Sequence, residues 1–236
     1  MIKPIILSLK KLIKKYVQII PLAILGFFFI IYNFISINVY WWLEQEDGVN
    51  ETIQFFLFLF ASYISFCNCK SAYKYHKKWL TLILIFSFTL LFIAFEEISW
   101  GQRIFQIESS DWFIENNSQQ EITIHNITPT GMLSWLNLHN IFIIVGFYGG
   151  LAFLISPKNE NPRNIRNIIV PKKKYSLYFL PTGVFYFYFE YINKLELYVI
   201  GSHQEVVELI LSLGFLFLAL DHQSQIKTLN KDQKNF

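Results

Sequence analysis

Apolar runs of about twenty residues alternate with short polar connectors along almost the whole chain, and that rhythm predicts helices that cross a bilayer. Six such runs are readable, at about 18–42, 52–70, 79–100, 132–155, 175–193 and 203–220. Each reaches or approaches the roughly 20 residues that span a hydrocarbon core about 30 Å thick. Ahead of them, Ile2, Ile5, Ile6, Leu9, Leu12, Ile13 and Tyr16 recur at helical spacing, with Lys3, Lys10, Lys11, Lys14 and Lys15 on the remaining face. This pattern suits a basic amphipathic helix over 1–16 lying on the inner leaflet. Residues 101–131 are long and of mixed polarity, which predicts a structured outer segment with short interfacial helices or a re-entrant piece. Beyond 220 the chain turns polar, and 221–236 reads as a poorly ordered cytoplasmic tail. The expected fold is all-α: one membrane domain over 17–220, built as a six-helix bundle.

Composition agrees. Of 236 residues 53% are hydrophobic, 19% aromatic and only 16% charged, which excludes an ordinary soluble domain. The net charge of +3 does not signal nucleic acid, because the bases sort by side of the membrane. Of the 20 Lys and Arg residues, all but Arg103 and Lys194 fall on one side of the up-and-down path. The positive-inside rule makes that side the cytoplasm and places both termini there. The first run has no small-x-small cleavage site after it and is too long for a signal-peptide core, so it reads as a retained span. Cys67 and Cys69 are two apart on a helix, where side chains diverge, so no mutual disulfide is expected.

The acids sort even more sharply than orientation requires. Of 17, all but Glu160, Asp221 and Asp232 fall in outer loops or near the outer ends of spans. The focus is Glu96-Glu97-Ile98-Ser99-Trp100-Gly101-Gln102-Arg103, at the end of the third run. A charge within a membrane helix costs about 2.5–3.5 kcal/mol at mid-depth on the insertion scale, so acids persist there when paired, protonated or facing a polar cavity. Up-and-down topology brings Glu51, Glu96, Glu97, Glu190, Glu205 and Glu208 to similar depth, within reach of His125, Asn126, His139 and His203. A helix turns 100° per residue, so Glu96 and Glu97 should address different neighbours. Glu96, Ser99 and Arg103 should share a stripe of the third helix, facing Glu205, Glu208 and Ser212 of the sixth.

Three readings account for such a layer. In the first, Arg103, the glutamates and Asn126 form a paired structural network that locks helices together. In the second, His125 with Glu205 and Glu208 holds a divalent cation, zinc or manganese. The cation activates water for hydrolysis of a lipid or lipid-linked substrate; Glu96 or Glu97 transfers protons and Arg103 orients an anion. Glu51, Ser99, Trp100, Gln102, Asn126 and Glu190 would then line the pocket. In the third, the acids form a proton- or cation-coupled transport path; the almost wholly apolar inner halves of the third and sixth runs argue against it. A His-Glu-x-x-His pair, a phosphate-binding glycine loop and a nucleophile elbow are all absent from the sequence.

At these residues the chain resembles an uncharacterised family of bacterial multipass membrane proteins. The resemblance rests on Glu46-Asp47-Gly48 with Glu51, on the eight residues from Glu96 to Arg103, on Asn117, Gln119, Glu121, His125 and Asn126, and on Glu205 and Glu208. Thr123 departs from the family pattern, which has Asn there. The resemblance implies a bacterial cytoplasmic membrane and supports this choice of residues; it supplies no reaction. Ceramidase-like membrane hydrolases are similar in architecture only, since their several-histidine zinc pattern is missing here.

Overall fold

The structure is a computed structural model that describes residues 16–45, 48–73, 77–117, 120–124, 127, 138–155, 166–192 and 203–234. The expected amphipathic helix over 1–16 lies outside the described residues apart from Tyr16. Among the described residues every regular element is helical, with one isolated antiparallel bridge between Asn117 and Ile127. Ten α-helices are described: α1 (Ile20–Ile30), α2 (Ile37–Glu44), α3 (Val49–Tyr73), α4 (Lys77–Glu97), α5 (Gln102–Phe105), α6 (Asp111–Asn116), α7 (Leu138–Leu151), α8 (Arg166–Ile169), α9 (Ser176–Phe187) and α10 (Gln204–Lys234).

Three apolar stretches are long enough to cross a membrane: Ile37–Cys69, Trp79–Glu97 and Leu138–Ile155. The other three expected spans depart from that simple form. The first is broken: α1 ends in a π-helical turn, Ile31–Ile35, and Ser36 is extended (φ −164°, ψ 123°). Its hydroxyl caps α2 by accepting from the Val39 N–H at 3.4 Å. The fifth ends in another π-helical turn, Tyr188–Ile192, and carries Pro181 inside α9. The sixth does not stop at 220. It runs on without a break to Lys234, so that residues 221–234 are helical where a poorly ordered tail was expected.

Two hairpin-like pairs, α3 with α4 and α7 with α9, flank α10, which packs on both α3 and α9. The α7–α9 contact is close enough to exclude side chains. A Cβ on Gly146 would fall 2.2 Å from the Gly183 nitrogen, and one on Gly183 would fall 2.8 Å from the Phe147 nitrogen. Small residues let membrane helices approach in this way.

The polarity of the bundle is inverted relative to a water-soluble protein. Phe60, Tyr63, Phe88, Ile144 and Leu154 point outward, whereas Ser62, Ser65, Asn68 and Ser87 are buried. The Ser62 hydroxyl crosses from α3 to donate to the Ser87 carbonyl at 2.9 Å. Such an apolar exterior is what lipid contact would ask for.

At the end of the bundle away from the glutamates, Asp221 lies 3.3 Å from Lys172 and 3.4 Å from Lys174. Burial pushes its carboxyl up, but Lys172, the Gln225 hydrogen bond and Lys174 outweigh it and hold the group below the usual carboxylate range. His222 beside it is buried and hydrogen-bonded through Nε2 to the Ile168 carbonyl at 3.0 Å. Burial holds its imidazole below the ordinary histidine value.

Candidate functional site

Helix α4 ends at Glu97 because the following residues leave helical space. Ser99 (φ 48°), Trp100 (φ 55°) and Gly101 (φ 76°) are all left-handed. Only Gly101 adopts that conformation without cost from a Cβ. The expected continuous stripe through Glu96, Ser99 and Arg103 is therefore interrupted. The Arg103 side chain, His125 and Asn126 lie outside the described residues.

The divergence of the paired glutamates is as the helical geometry requires. Glu96 is 5% exposed and turns toward the outer segment, where it accepts from the Trp100 indole N–H at 2.5 Å and the Ile124 backbone N–H at 2.7 Å. Neighbouring motif residues act in the same direction. Ser99 donates to Glu121 at 2.5 Å; Gln102 donates to Ser109 at 2.7 Å and accepts from the Ile122 N–H at 2.7 Å. Asn117 donates to the carbonyl and hydroxyl of the fully buried Thr123, at 2.8 and 3.0 Å. Much of the motif thus fastens residues 102–124 onto the end of α4. Ser99, Trp100 and Gln102, expected to line the pocket, have their hydrogen-bond partners in Glu96 and in this segment.

Glu97 turns the other way, into the bundle. It lies within electrostatic range of Glu208 and Glu205 on α10, of Glu51 on α3, and of Glu96. Among the described residues, nothing donates a hydrogen bond to its carboxyl. The α10 acids are held from other helices. The Gln54 amide donates to Glu205 Oε2 at 2.8 Å, and the Tyr186 hydroxyl donates to Glu208. Glu44, at the end of α2, completes the group. It accepts from Asn50 at 2.6 Å, lies beside the Val206 backbone N–H, and is within range of Glu205 and Glu208.

Four helices therefore bring acids within electrostatic range of one another: α2 with Glu44, α3 with Glu51, α4 with Glu97, and α10 with Glu205 and Glu208. The interior is rich in acceptors. Glu44 Oε2 and Gln54 Oε1 are fully enclosed and have no hydrogen-bond partner among the described residues. Glu190 belongs to a separate pair, 2.8 Å from His139 Nδ1; the His139 ring packs against Tyr186, with centroids 5.0 Å apart.

Sequence reasoning picked out Glu51, Glu97, Glu205 and Glu208, and Glu97 lies within electrostatic range of the other three. It missed Glu44, Asn50, Gln54 and Tyr186 as members. Gln54 carried a usable signal, lying three residues after Glu51 and so on the same helical face. Tyr186 carried none, because a tyrosine among many aromatics does not reveal which way its helix is turned. Among the described residues no three His, Cys, Asp or Glu side chains are gathered closely enough to hold a metal ion. A cation held with His125 would rest on a residue outside the described ones.

The chain matches no protein-family model, and no curated protein or solved structure is significantly similar to it.

Proposed function

We propose that this is a six-span protein of a bacterial cytoplasmic membrane, with both termini in the cytoplasm. Its outward-facing acidic pocket would carry acid–base chemistry, of the kind used in hydrolysis, on a membrane lipid or lipid-linked substrate. The observation that supports this best is the placement of Glu97. Its carboxyl faces Glu205, Glu208 and Glu51 from a different helix, and no described group donates to it. A carboxyl so placed is free to exchange a proton with a bound substrate, while Tyr186 and Gln54 hold the flanking acids in position. Glu97 is therefore the proton-transfer candidate, and Glu96 is a positioning residue. Zinc or manganese would add water activation if His125 and the α10 acids met around it.

A specific observation also favours the structural reading for part of the cluster. Glu44, Glu96 and Glu121 each have hydrogen-bonded partners that tie chain segments together. The two readings divide by residue rather than compete for all of them.

The test incubates purified full-length protein with bacterial lipid extract and follows lipid species by mass spectrometry, with metal content measured alongside. The expected result is turnover of a lipid species by the wild type that Glu97→Gln abolishes while remaining folded. Equal lipid profiles for wild type, Glu97→Gln and a no-protein control would overturn the enzymatic reading.

A further inference from the structure

A groove of about 270 Å³ lies where the first apolar segment is broken, between α1–α2 and the facing parts of α9 and α10. Its walls are Leu25, Phe28 and Phe29 on one side and Phe185, Val206 and Val207 on the other. At the end near the start of α10, polar groups appear. Tyr40 is hydrogen-bonded to His203 Nδ1 at 2.7 Å, and Tyr32 packs edge-on against both rings. The Asn33 amide, also in the wall, is already directed to the Phe29 carbonyl at 2.9 Å. The groove is thus apolar along its length and polar at one tip.

The same helices that line the groove also carry residues of the acid cluster. Val206 presents its side chain to the groove and its N–H to Glu44. Val206 and Val207 stand between Glu205 and Glu208 in sequence. On α9, Phe185 faces the groove while the next residue, Tyr186, reaches Glu208. The groove and the acid cluster are therefore adjacent, sharing residues of α9 and α10.

We propose that the groove holds one acyl chain of a membrane lipid, with the Tyr40–His203 tip directing the polar end of that lipid toward the acids. This rests on the acid–base reading above and specifies its substrate class as an acyl-bearing lipid entering sideways from the bilayer. Hydrocarbon is the occupant the chemistry favours. The apolar walls offer neither water nor a polar ligand any partner along their length, so the selection rests on their chemistry and leaves the polar tip for the rest of the lipid.

The experiment uses the full chain in detergent micelles with trace phosphatidylethanolamine carrying a diazirine at the end of one acyl chain. After photolysis, labelled peptides are mapped. Labelling should concentrate several-fold on Leu25–Phe29 and Phe185 relative to Phe60 and Phe88, which are equally apolar but lie outside the groove. Leu25→Trp, which fills the groove, should reduce that excess to background, and Phe29→Ala, which widens it, should preserve or increase it. Glu97→Gln should leave labelling unchanged, so loss of turnover and loss of lipid binding are read separately. Labelling at the groove no greater than at Phe60 and Phe88, or insensitive to Leu25→Trp in a folded variant, would overturn the proposal.

Discussion

Replacing Glu96 by alanine leaves the Trp100 indole N–H and the Ile124 backbone N–H without their acceptor. A buried donor stripped of its partner costs about 1–3 kcal/mol. Trp100 is 43% exposed, so its indole recovers part of that loss from surroundings, and most of the penalty falls on Ile124. The sum is about 2–4 kcal/mol, or roughly 4–16 °C in unfolding midpoint by the scaling for a chain of this size. Glu96→Gln keeps an acceptor oxygen and should lose less. Glu97→Gln should lose nothing, or gain, because it replaces a carboxyl that no described residue hydrogen-bonds and that faces other acids. The assay is thermal unfolding in detergent followed by tryptophan fluorescence, with Trp100 reporting on the turn itself. A Glu97→Gln midpoint lower than that of Glu96→Ala would refute this division between an anchoring and a chemical glutamate.

The inner end should show two separate acid sensitivities. The folded Asp221 carboxyl lies below its unfolded value, so its contribution is complete above about pH 3.9 and disappears as pH falls through the folded value; Asp221→Asn should flatten that part of a stability profile. The folded His222 imidazole is also lowered, so stability should already decline as pH falls below about 6.5, and His222→Gln should remove that earlier loss. Gly146→Ala should separate α7 from α9 at a cost of about 1–3 kcal/mol or more, read as a lower unfolding midpoint. Tyr186→Phe should leave Glu208 without its hydroxyl donor and lower stability by about 1–3 kcal/mol while keeping the ring stacked on Phe142.

What could be read from sequence followed from how strongly each rule constrains the chain. Helices α4 and α7 were legible because uninterrupted apolar residues of spanning length leave the backbone few alternatives in lipid. The divergence of Glu96 and Glu97 followed from helical angle alone. The break at Ser36 was not legible, since serine is tolerated inside apolar helices and only the packing of α1 and α2 against α10 shows that the chain turns there. The end of α4 had a visible signal in Gly101, yet the left-handed conformation extends back to Ser99 and Trp100, which have no such preference. The partners of Ser99, Trp100 and Gln102 were not legible for a related reason. A polar residue beside buried acids suits a pocket and a loop anchor equally well, and only the partner atom decides.

The unbroken course of α10 sets a mechanical condition. At 1.5 Å per residue, 31 residues make a rod about 46 Å long, well over the depth of the hydrocarbon layer. Its final 13 residues, His222 to Lys234, extend about 20 Å past Asp221 as a stiff stem. A fluorescent reporter fused after that stem should therefore be held at a set distance from Asp221, making the helix a built-in ruler against any second probe placed in the bundle.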